Sequence, residues 1–332
     1  MSITLGADVG YGYTKVFSST GCALIFPSVV GRAEARRFRT DLAHAAPQVQ
    51  NGSPHTGGQV SLNGTAYCYG EEALRYARLT VQPRDRQWIT SLPYRVLWEA
   101  VLEATVPPAA IPVIVTGLPV SEYEERERLE VVVRDALISK GVSQATVRVV
   151  PQPFGSFCDW LLADDGTLHD AHLVNSHVGV IDIGHYTTDF AEIAALDYIP
   201  RGSGSIPVGV ATVLDALSRH VYDTWGRRID MHEAATMLQE RCVHIRGVAH
   251  NLGPVCDAAL QDTGLAILTT AQQLWGGAES FDRLLASGGG APVLHPTLAA
   301  RFAHLTLLPA SFTANARGYR KYGALVNQQH AV

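Results

Sequence analysis

Residues 177–193, HVGVIDIGHYTTDFAEI, are the segment from which the fold of this chain can be predicted. The apolar run 178–183 carries a single carboxylate, that of Asp182, and stops at Gly184 before a second strand-like run. Glycine lets a backbone approach an anion, threonine hydroxyls and turn amides can donate to phosphate oxygens, and an aspartate can face a cation. The pattern indicates a β-hairpin that holds a metal-bound phosphate, although an ordinary hairpin with an aspartate at a strand end has the same pattern.

The chain begins with a segment of the same design, residues 2–18 (SITLGADVGYGYTKVFS). Apolar residues alternate on both sides of a glycine turn, which predicts two strands and a tight connection. Asp8 and Lys15 flank this turn, so it carries one carboxylate for a cation and one ammonium group for a phosphate. Two such turns facing each other would clamp one polyphosphate from both sides.

A third glycine-rich segment, SGGG at 287–290, follows a short apolar strand at 284–286. Consecutive glycines after a strand let a flat ligand lie directly on the backbone, although a flexible loop has the same composition. Residues 31–85 are polar and irregular, which predicts an inserted subdomain with a mobile loop at 47–58. The arginines of this insert are compatible with nucleic acid, a protein contact or a solvated face.

Local patterns predict three further features outside these loops. Ser121 and Glu124 form a capping box, which places a helix start at Ser121. Gln152 lies between two prolines, as expected for a loop residue. The last helix, predicted at 310–325, carries three cations that a solvated helix face would also show: Arg317, Arg320 and Lys321.

The composition describes a globular chain of 332 residues, 47% of them hydrophobic and 17% charged. A net charge of −5 gives no overall attraction to nucleic acid, so direct sequence-specific DNA binding is not expected. No apolar run approaches the roughly 20 residues of a membrane span, and no signal sequence is present, which predicts a cytoplasmic protein without a membrane partner. The five cysteines never form a CxxC pair, which indicates reduced thiols and neither disulfides nor a zinc site.

These segments, in this order, resemble the actin/Hsp70/sugar-kinase ATPase superfamily, and within it the plasmid-segregation actins of the ParM/StbA type. Residues 6–15 (GADVGYGYTK) are similar to the first phosphate loop of the family, residues 180–190 (VIDIGHYTTDF) to the second, and residues 286–291 (ASGGGA) to the adenosine loop. The resemblance covers essentially the whole chain, since the connecting pieces match as well: VTGLPVSEYEER at 115–126, VPQPFGSFCDW at 150–160 and ANARGYRKYG at 314–323.

The resemblance implies an α/β fold of the actin-like, ribonuclease H-like duplicated type, with a nucleotide cleft between two domains. Domain I would span residues 1–165, including the inserted subdomain at about 31–85. Domain II would span residues 166–308. Residues 309–332 would form a C-terminal helix that packs back on domain I.

The resemblance also implies a site. Asp8 and Asp182 would hold Mg²⁺ and its waters, and Lys15 would neutralise phosphate charge. Gln152 falls where the family orients the attacking water; because an amide cannot act as a general base, Asp182 remains as the base or metal partner. The residues gripping the nucleotide would be Gly10, Tyr11, Gly12 and Tyr13 in the first loop, Gly184, His185, Tyr186 and Thr187 in the second, and Gly288, Gly289 and Gly290 at the adenosine.

The implied function is ATP hydrolysis with Mg²⁺, with GTP as the alternative nucleotide, coupled to self-association into filaments. Such a filament would segregate plasmid DNA through a DNA-binding adaptor protein. Two other functions stay open on the same fold: a sugar or acyl-phosphate kinase, and a nucleotide-binding scaffold that does not polymerise.

Overall fold

The computed structural model describes residues 2–34, 56–77, 80–81 and 88–329. Three arginines of the predicted insert, Arg36, Arg37 and Arg39, lie outside the described residues, as does most of the predicted loop at 47–58. Among the described helices, none combines the length and the apolar character that crossing a membrane requires. The chain divides into two compact units, the first made of Met1–Gly117, Glu124–Val149 and Tyr322–Val332, and the second of Leu118–Tyr123 and Val150–Lys321.

The first unit contains a five-stranded sheet, a four-stranded sheet and three helices in its described part. The strands are β1 (Ser2–Val9), β2 (Tyr13–Ser18), β3 (Ala23–Pro27), β4 (Val30–Arg32), β5 (Gly57–Leu62), β6 (Thr65–Gly70), β7 (Thr80–Val81), β8 (Ile111–Leu118) and β9 (Thr146–Pro151). The helices are α1 (Glu71–Tyr76), α2 (Leu92–Thr105) and α3 (Arg126–Ser139).

The larger sheet of the first unit has the strand order β3-β2-β1-β8-β9. The two strands predicted at 2–18 are confirmed, and β3 extends them into an antiparallel meander, because β1 pairs with β2 and β2 with β3. β1 also pairs in parallel with β8, so it is a central strand, and seven of its eight residues are buried. Strands buried on both faces are continuously apolar. Asp8, a buried aspartate near the end of β1, departs from this apolar pattern and is therefore a candidate functional residue.

The inserted subdomain is more regular than its composition predicts. Its described residues form a sheet with the order β5-β6-β4-β7, and helix α1 packs on β5 and β6. β5 and β6 are joined at Asn63 and Gly64, whose φ values of 51° and 74° are both positive. An Asn-Gly pair between two short strands is a strong local signal for a hairpin, so this hairpin was predictable from the sequence.

Helix α3 begins at Arg126, so the predicted helix start at the Ser121 capping box is wrong. Residues Val120–Glu125 form a 3₁₀ turn instead, and Glu125 precedes the helix without a side-chain cap. The backbone amide of Ser121 donates to the hydroxyl of Ser205, 3.0 Å away. This contact with a distant strand holds the segment in a conformation that the local sequence does not favour.

The second unit contains a six-stranded sheet, a β-hairpin and six helices in its described part. The strands are β10 (His177–Ile183), β11 (Thr188–Ala194), β12 (Asp197–Tyr198), β13 (Gly204–Ile206), β14 (Cys242–Ile245), β15 (Val248–Asn251), β16 (Arg283–Ser287) and β17 (Leu305–Leu307). The helices are α4 (Gln152–Leu161), α5 (Val210–Trp225), α6 (Met231–Glu240), α7 (Gly253–Trp275), α8 (Ala291–Ala299) and α9 (Ala314–Gln329).

The main sheet of the second unit has the order β12-β11-β10-β16-β17, with β13 paired to β11. The predicted central hairpin is confirmed: β10 and β11 are antiparallel, with Asp182 opposite Asp189. β10 is parallel to β16, and β16 to β17, so the strand that carries Asp182 is again central and buried. Strand β13 is antiparallel to the first residues of β11.

The compact units are composed differently from the predicted division at residue 165. Helix α4 belongs to the second unit because it packs on β10 and β11. The same unit includes the first half of α9, up to Lys321, whereas Tyr322 and the residues after it belong to the first unit. There Gly323 lies against Thr4 and Val115, and the hydroxyl of Ser2 donates to Asn327 over 2.8 Å.

Candidate functional site

The turn between β10 and β11 is formed by Gly184, His185, Tyr186 and Thr187. The amide of Gly184 donates to the carbonyl of Thr187 over 2.8 Å and closes the turn. On its other side, the carbonyls of Gly184 and His185 accept the amides of Val210 and Ala211, the first residues of α5. The turn is half-buried and is held from both sides by hydrogen bonds.

Asp182, the residue before the last one of β10, has only 4% of its surface exposed. Both oxygens of its carboxylate accept hydrogen bonds: Oδ1 from the hydroxyl of Ser287 over 3.2 Å, and Oδ2 from the amide nitrogen of Asn315 over 2.6 Å. A buried charge is tolerated when it is hydrogen-bonded in this way. Asp182 is therefore held in a defined orientation by two side chains that come from distant parts of the chain.

The glycine run Gly288–Gly290 lies directly beside Asp182, because β16 pairs with β10 and places Ser287 opposite Asp182. Gly288 has a φ of +86°, and a Cβ atom on it would lie 2.6 Å from Oδ1 of Asp182. Gly290 donates its amide to the carbonyl of Ile183 over 2.9 Å, while Gly289 is exposed. Glycine is required here because the run and the end of β10 approach each other more closely than side chains would permit.

Gln152 is the first residue of α4, so its predicted place in a loop between two prolines is wrong. Pro153 is compatible with the helix because the first turn of a helix has no use for its missing amide. One turn further along, both the amide and the hydroxyl of Ser156 donate to Oδ1 of Asn315, over 3.0 and 2.6 Å. Through Asn315, the beginning of α4 is connected to the carboxylate of Asp182.

A second buried carboxylate, that of Asp189, lies on β11 and is 1% exposed. It accepts hydrogen bonds from the amide of Val120 over 2.7 Å, from the hydroxyl of Thr187 over 3.0 Å, and from the hydroxyl of Ser205. Burial raises the pKa of this carboxyl to about 6, against the opposing effect of these hydrogen bonds. Asp189 thus fixes the last residue of the turn, a role that the sequence did not single out.

In the first unit, the turn between β1 and β2 shows the same design. Asp8 is opposite Lys15 in the strand register, and their side chains form an ion pair of 2.8 Å that is largely buried. The amide of Gly10 donates to the carbonyl of Tyr13 over 3.2 Å, which closes the turn. The ring of Tyr11 stacks on Trp88 at 5.6 Å between the ring centroids. Lys15 is the partner of Asp8 in this structure.

Each of the two turns, considered by itself, offers the kind of donors that a phosphate-bound magnesium ion uses. Within the described ranges, no three His, Cys, Asp or Glu side chains come together as a metal site. Magnesium does not need such a cluster, because proteins usually hold it with one or two carboxylates, water and the phosphates of a nucleotide. Asp182 and Asp8, one in each unit, are carboxylates of this kind next to a glycine turn.

The structure therefore assembles most of the predicted site of the second unit: Asp182, the turn after it and the glycine run. The predicted residues of the first unit form their own turn around Asp8 and Lys15. The sequence prediction did not include Asn315, Ser156, Ser287 or Asp189. The available signal for Asn315 is the asparagine of ANARGYRKYG, one of the segments that resemble the family.

Comparisons with known proteins place this architecture in a class. Residues 6–155 match the family described as the N-terminal domain of actin like proteins, and residues 180–300 match the C-terminal domain of archaeal actin homologues of the MreB type. An archaeal actin homolog from Thermoplasma volcanium is 26% identical over 312 residues, which are 88% of this chain and 89% of that protein.

Two solved structures share the fold over nearly the whole chain. The archaeal actin homolog Ta0583, solved in complex with ADP, has a TM-score of 0.72 at 20% identity, covering 99% of this chain and 100% of that one. A 15-stranded ParM filament from Clostridium botulinum has a TM-score of 0.76 at 21% identity, covering 98% and 99%. The fold is thus a two-domain actin-like α/β fold. With two family matches that together span most of its length, the chain belongs to the actin-like proteins.

Proposed function

We propose that this protein binds and hydrolyses ATP with Mg²⁺ and assembles into filaments. The observation that carries the proposal is the convergence of Asp182, the Gly184–Thr187 turn and the glycine run at the end of one buried strand. A carboxylate for a cation, turn amides for phosphates and a bare backbone for a flat base are the three parts that a nucleotide site needs. The ADP complex of Ta0583 supports the choice of an adenine nucleotide.

In this proposal the predicted residues hold the metal ion, bind the phosphates and orient the attacking water. Asp8 and Asp182 hold the Mg²⁺, which neutralises charge on the phosphates when it is bound. Lys15 contributes a positive charge to the same phosphates, and the backbone of both turns donates to them. Gln152 orients the attacking water through its amide, and Asp182 takes part as base or metal ligand because an amide cannot accept the proton.

The proposed filament acts in the cytoplasm and moves plasmid DNA through an adaptor protein. The ParM filament from Clostridium botulinum supports self-association, since it shares the fold over nearly the whole chain. A head-to-tail contact between identical subunits that does not close into a ring produces a filament. Nucleotide hydrolysis can control such an assembly when it changes the shape of the subunit.

The test combines phosphate release, light scattering and negative-stain microscopy, with ATP, GTP, ADP or no nucleotide, and with or without Mg²⁺. Filaments and phosphate release that require ATP and Mg²⁺ are expected. Nucleotide binding without filaments would leave the non-polymerising scaffold. Transfer of phosphate to a sugar or a carboxylic acid in a substrate screen would contradict the proposal in favour of a kinase.

Asp182→Ala is expected to abolish hydrolysis, with a fall in turnover of about 10²-fold or more, because the proposed base or metal ligand is removed. Asp182→Asn retains the shape of the side chain and should have the same effect. Asp197→Ala is the matched control, since Asp197 is exposed on β12 of the same sheet. Circular dichroism and the Tm establish that each variant is folded. Unchanged turnover in folded Asp182→Asn would mean that the site is assigned wrongly.

A further inference from the structure

Asn315 connects two parts of the proposed site that are far apart in sequence. Its amide nitrogen donates to Oδ2 of Asp182 over 2.6 Å, and its amide oxygen accepts from the backbone and the hydroxyl of Ser156. Asn315 is 133 residues from Asp182 and 159 from Ser156. The three residues are 8%, 4% and 0% exposed, so water does not compete strongly for these hydrogen bonds.

The chemistry of this connection requires an amide. The ionised carboxylate of Asp182 can only accept, and both groups of Ser156 that face Asn315 donate. Only a side chain with a donor at one end and an acceptor at the other satisfies both neighbours. A carboxylate at position 315 would place a second negative charge against Asp182, and an apolar residue would leave buried polar groups without partners.

The position of Asn315 is fixed by the way α9 packs on α4. Asp159 of α4 forms ion pairs with Arg317 and with Lys321, the latter over 2.9 Å. Arg320 pairs with Asp164 just beyond the end of α4. The charge pattern is also typical of a solvated helix face, but in the structure these cations form the ion pairs that attach α9 to α4. Asn315, in the first turn of α9, is therefore held by a rigid element.

We infer that Asn315 is a positioning residue of the proposed ATPase. It orients the carboxylate of Asp182 and at the same time ties that carboxylate to the start of α4, one turn from Gln152. The side chain of Asn315 thus fixes the position of Asp182, the proposed base or metal ligand, relative to the helix that begins with Gln152, the proposed water-orienting residue. This inference rests on the proposed function, because Asn315 positions a residue of the proposed ATPase site.

The test is Asn315→Ala and Asn315→Asp, with Arg320→Ala as the matched control on the same helix. Partners that orient metal ligands are worth about 10- to 100-fold in metal affinity or activity. We expect kcat to fall within that range in both Asn315 variants, the Mg²⁺ concentration for half-maximal activity to rise about tenfold, and the KM for ATP at saturating Mg²⁺ to change less. Arg320→Ala should lower the Tm without altering the Mg²⁺ dependence.

A second measurement uses the protein without nucleotide. Hydrogen exchange at the Ser156 amide should accelerate in Asn315→Ala, because that amide loses its hydrogen bond to the side chain of Asn315, and should stay close to the wild-type rate in Arg320→Ala. A merely structural role predicts a lower Tm with wild-type kcat and Mg²⁺ dependence in the folded variants. That result would overturn the inference.

The two proposals fail in distinguishable ways. If the wild-type protein releases no phosphate from ATP, the proposed function is wrong. The role of Asn315 is then judged by the affinity for ADP measured calorimetrically with and without Mg²⁺. Wild-type Mg²⁺-dependent affinity in Asn315→Ala would overturn the positioning role, and a loss confined to the Mg²⁺-dependent part would support it.

Discussion

Asp189 shows how a single buried residue links the candidate site to the stability of the fold. Its carboxyl lies near the start of β11 and is enclosed by donors from Val120, Thr187 and Ser205. Burial nevertheless dominates and raises its pKa from 3.8 to about 6. Thr187 is the last residue of the proposed phosphate-binding turn and donates a hydrogen bond to Asp189. The protonation of Asp189 therefore affects this turn as well as the sheet.

The raised pKa predicts a pH dependence with a defined sign. Between about pH 4 and pH 6 the folded protein binds more protons at Asp189 than the unfolded chain does. Its contribution to stability is therefore fully present below about pH 4 and is lost as the pH rises through 6. The difference between the pKa values of Asp189 in the folded and the unfolded chain corresponds to about 3 kcal/mol in the free energy of unfolding. In Asp189→Asn this dependence should be absent.

Denaturant unfolding at several pH values between 4 and 7 measures the effect. The free energy of unfolding of the wild type should fall relative to that of Asp189→Asn as the pH rises. Asp165→Asn is the control and should differ from the wild type by a constant amount over this range, because hydrogen bonds from Thr167 lower the pKa of the exposed Asp165 carboxyl, so that it titrates below the pH values measured. A constant difference between wild type and Asp189→Asn over this range would contradict the prediction.

At the scale of elements, α4 and α9 pack closely against each other beside the candidate site. A Cβ atom at Gly318 would overlap the carbonyl oxygen of Gly155, and one at Gly155 would lie 2.8 Å from the carbonyl oxygen of Asn315. Two helices can approach this closely only where both lack side chains. Because Gly155 and Gly318 allow this approach, Arg317 and Lys321 can pair with Asp159, and the side chain of Asn315 can bind Ser156.

Gly318→Ala is therefore expected to destabilise the protein by about 3 kcal/mol or more, since the obstructing atoms belong to the backbone and cannot move aside. Gly204→Ala is the matched control, because nothing lies within 4 Å of a Cβ atom there. Its effect should stay within about 0.5 kcal/mol. Chemical denaturation of both variants measures the difference. Equal stability would show that α9 can shift away from α4 at little cost.

At the scale of the whole molecule, the net charge predicts that the protein by itself does not bind DNA. A protein with a net charge of −5 is repelled by the phosphate backbone unless a basic patch compensates. We expect no shift of plasmid DNA by the purified protein in an electrophoretic assay at about 150 mM salt. A salt-sensitive shift that disappears when Arg36, Arg37 and Arg39 are replaced by alanine would contradict the prediction.

The sequence by itself determined the parts of this protein that depend on neighbouring residues. Alternating apolar residues around Asp-x-Gly predicted both hairpins, and an apolar run before three glycines predicted β16 and its loop. These signals are local, because strand periodicity and the conformational freedom of glycine act over a few residues. The family resemblance rested on the same segments, and the actin-like fold is confirmed.

Only the tertiary structure decided which groups surround those segments. Asn315 and Ser287 reach Asp182 from 133 and 105 residues away, and Val120 reaches Asp189 from 69. The cations of α9 are paired because α4 packs against them, and the predicted capping box at Ser121 gives way to a contact with β13. Partners of this kind depend on which helix covers which strand. Burial then sets the strength of each hydrogen bond and the pKa of each buried carboxyl group.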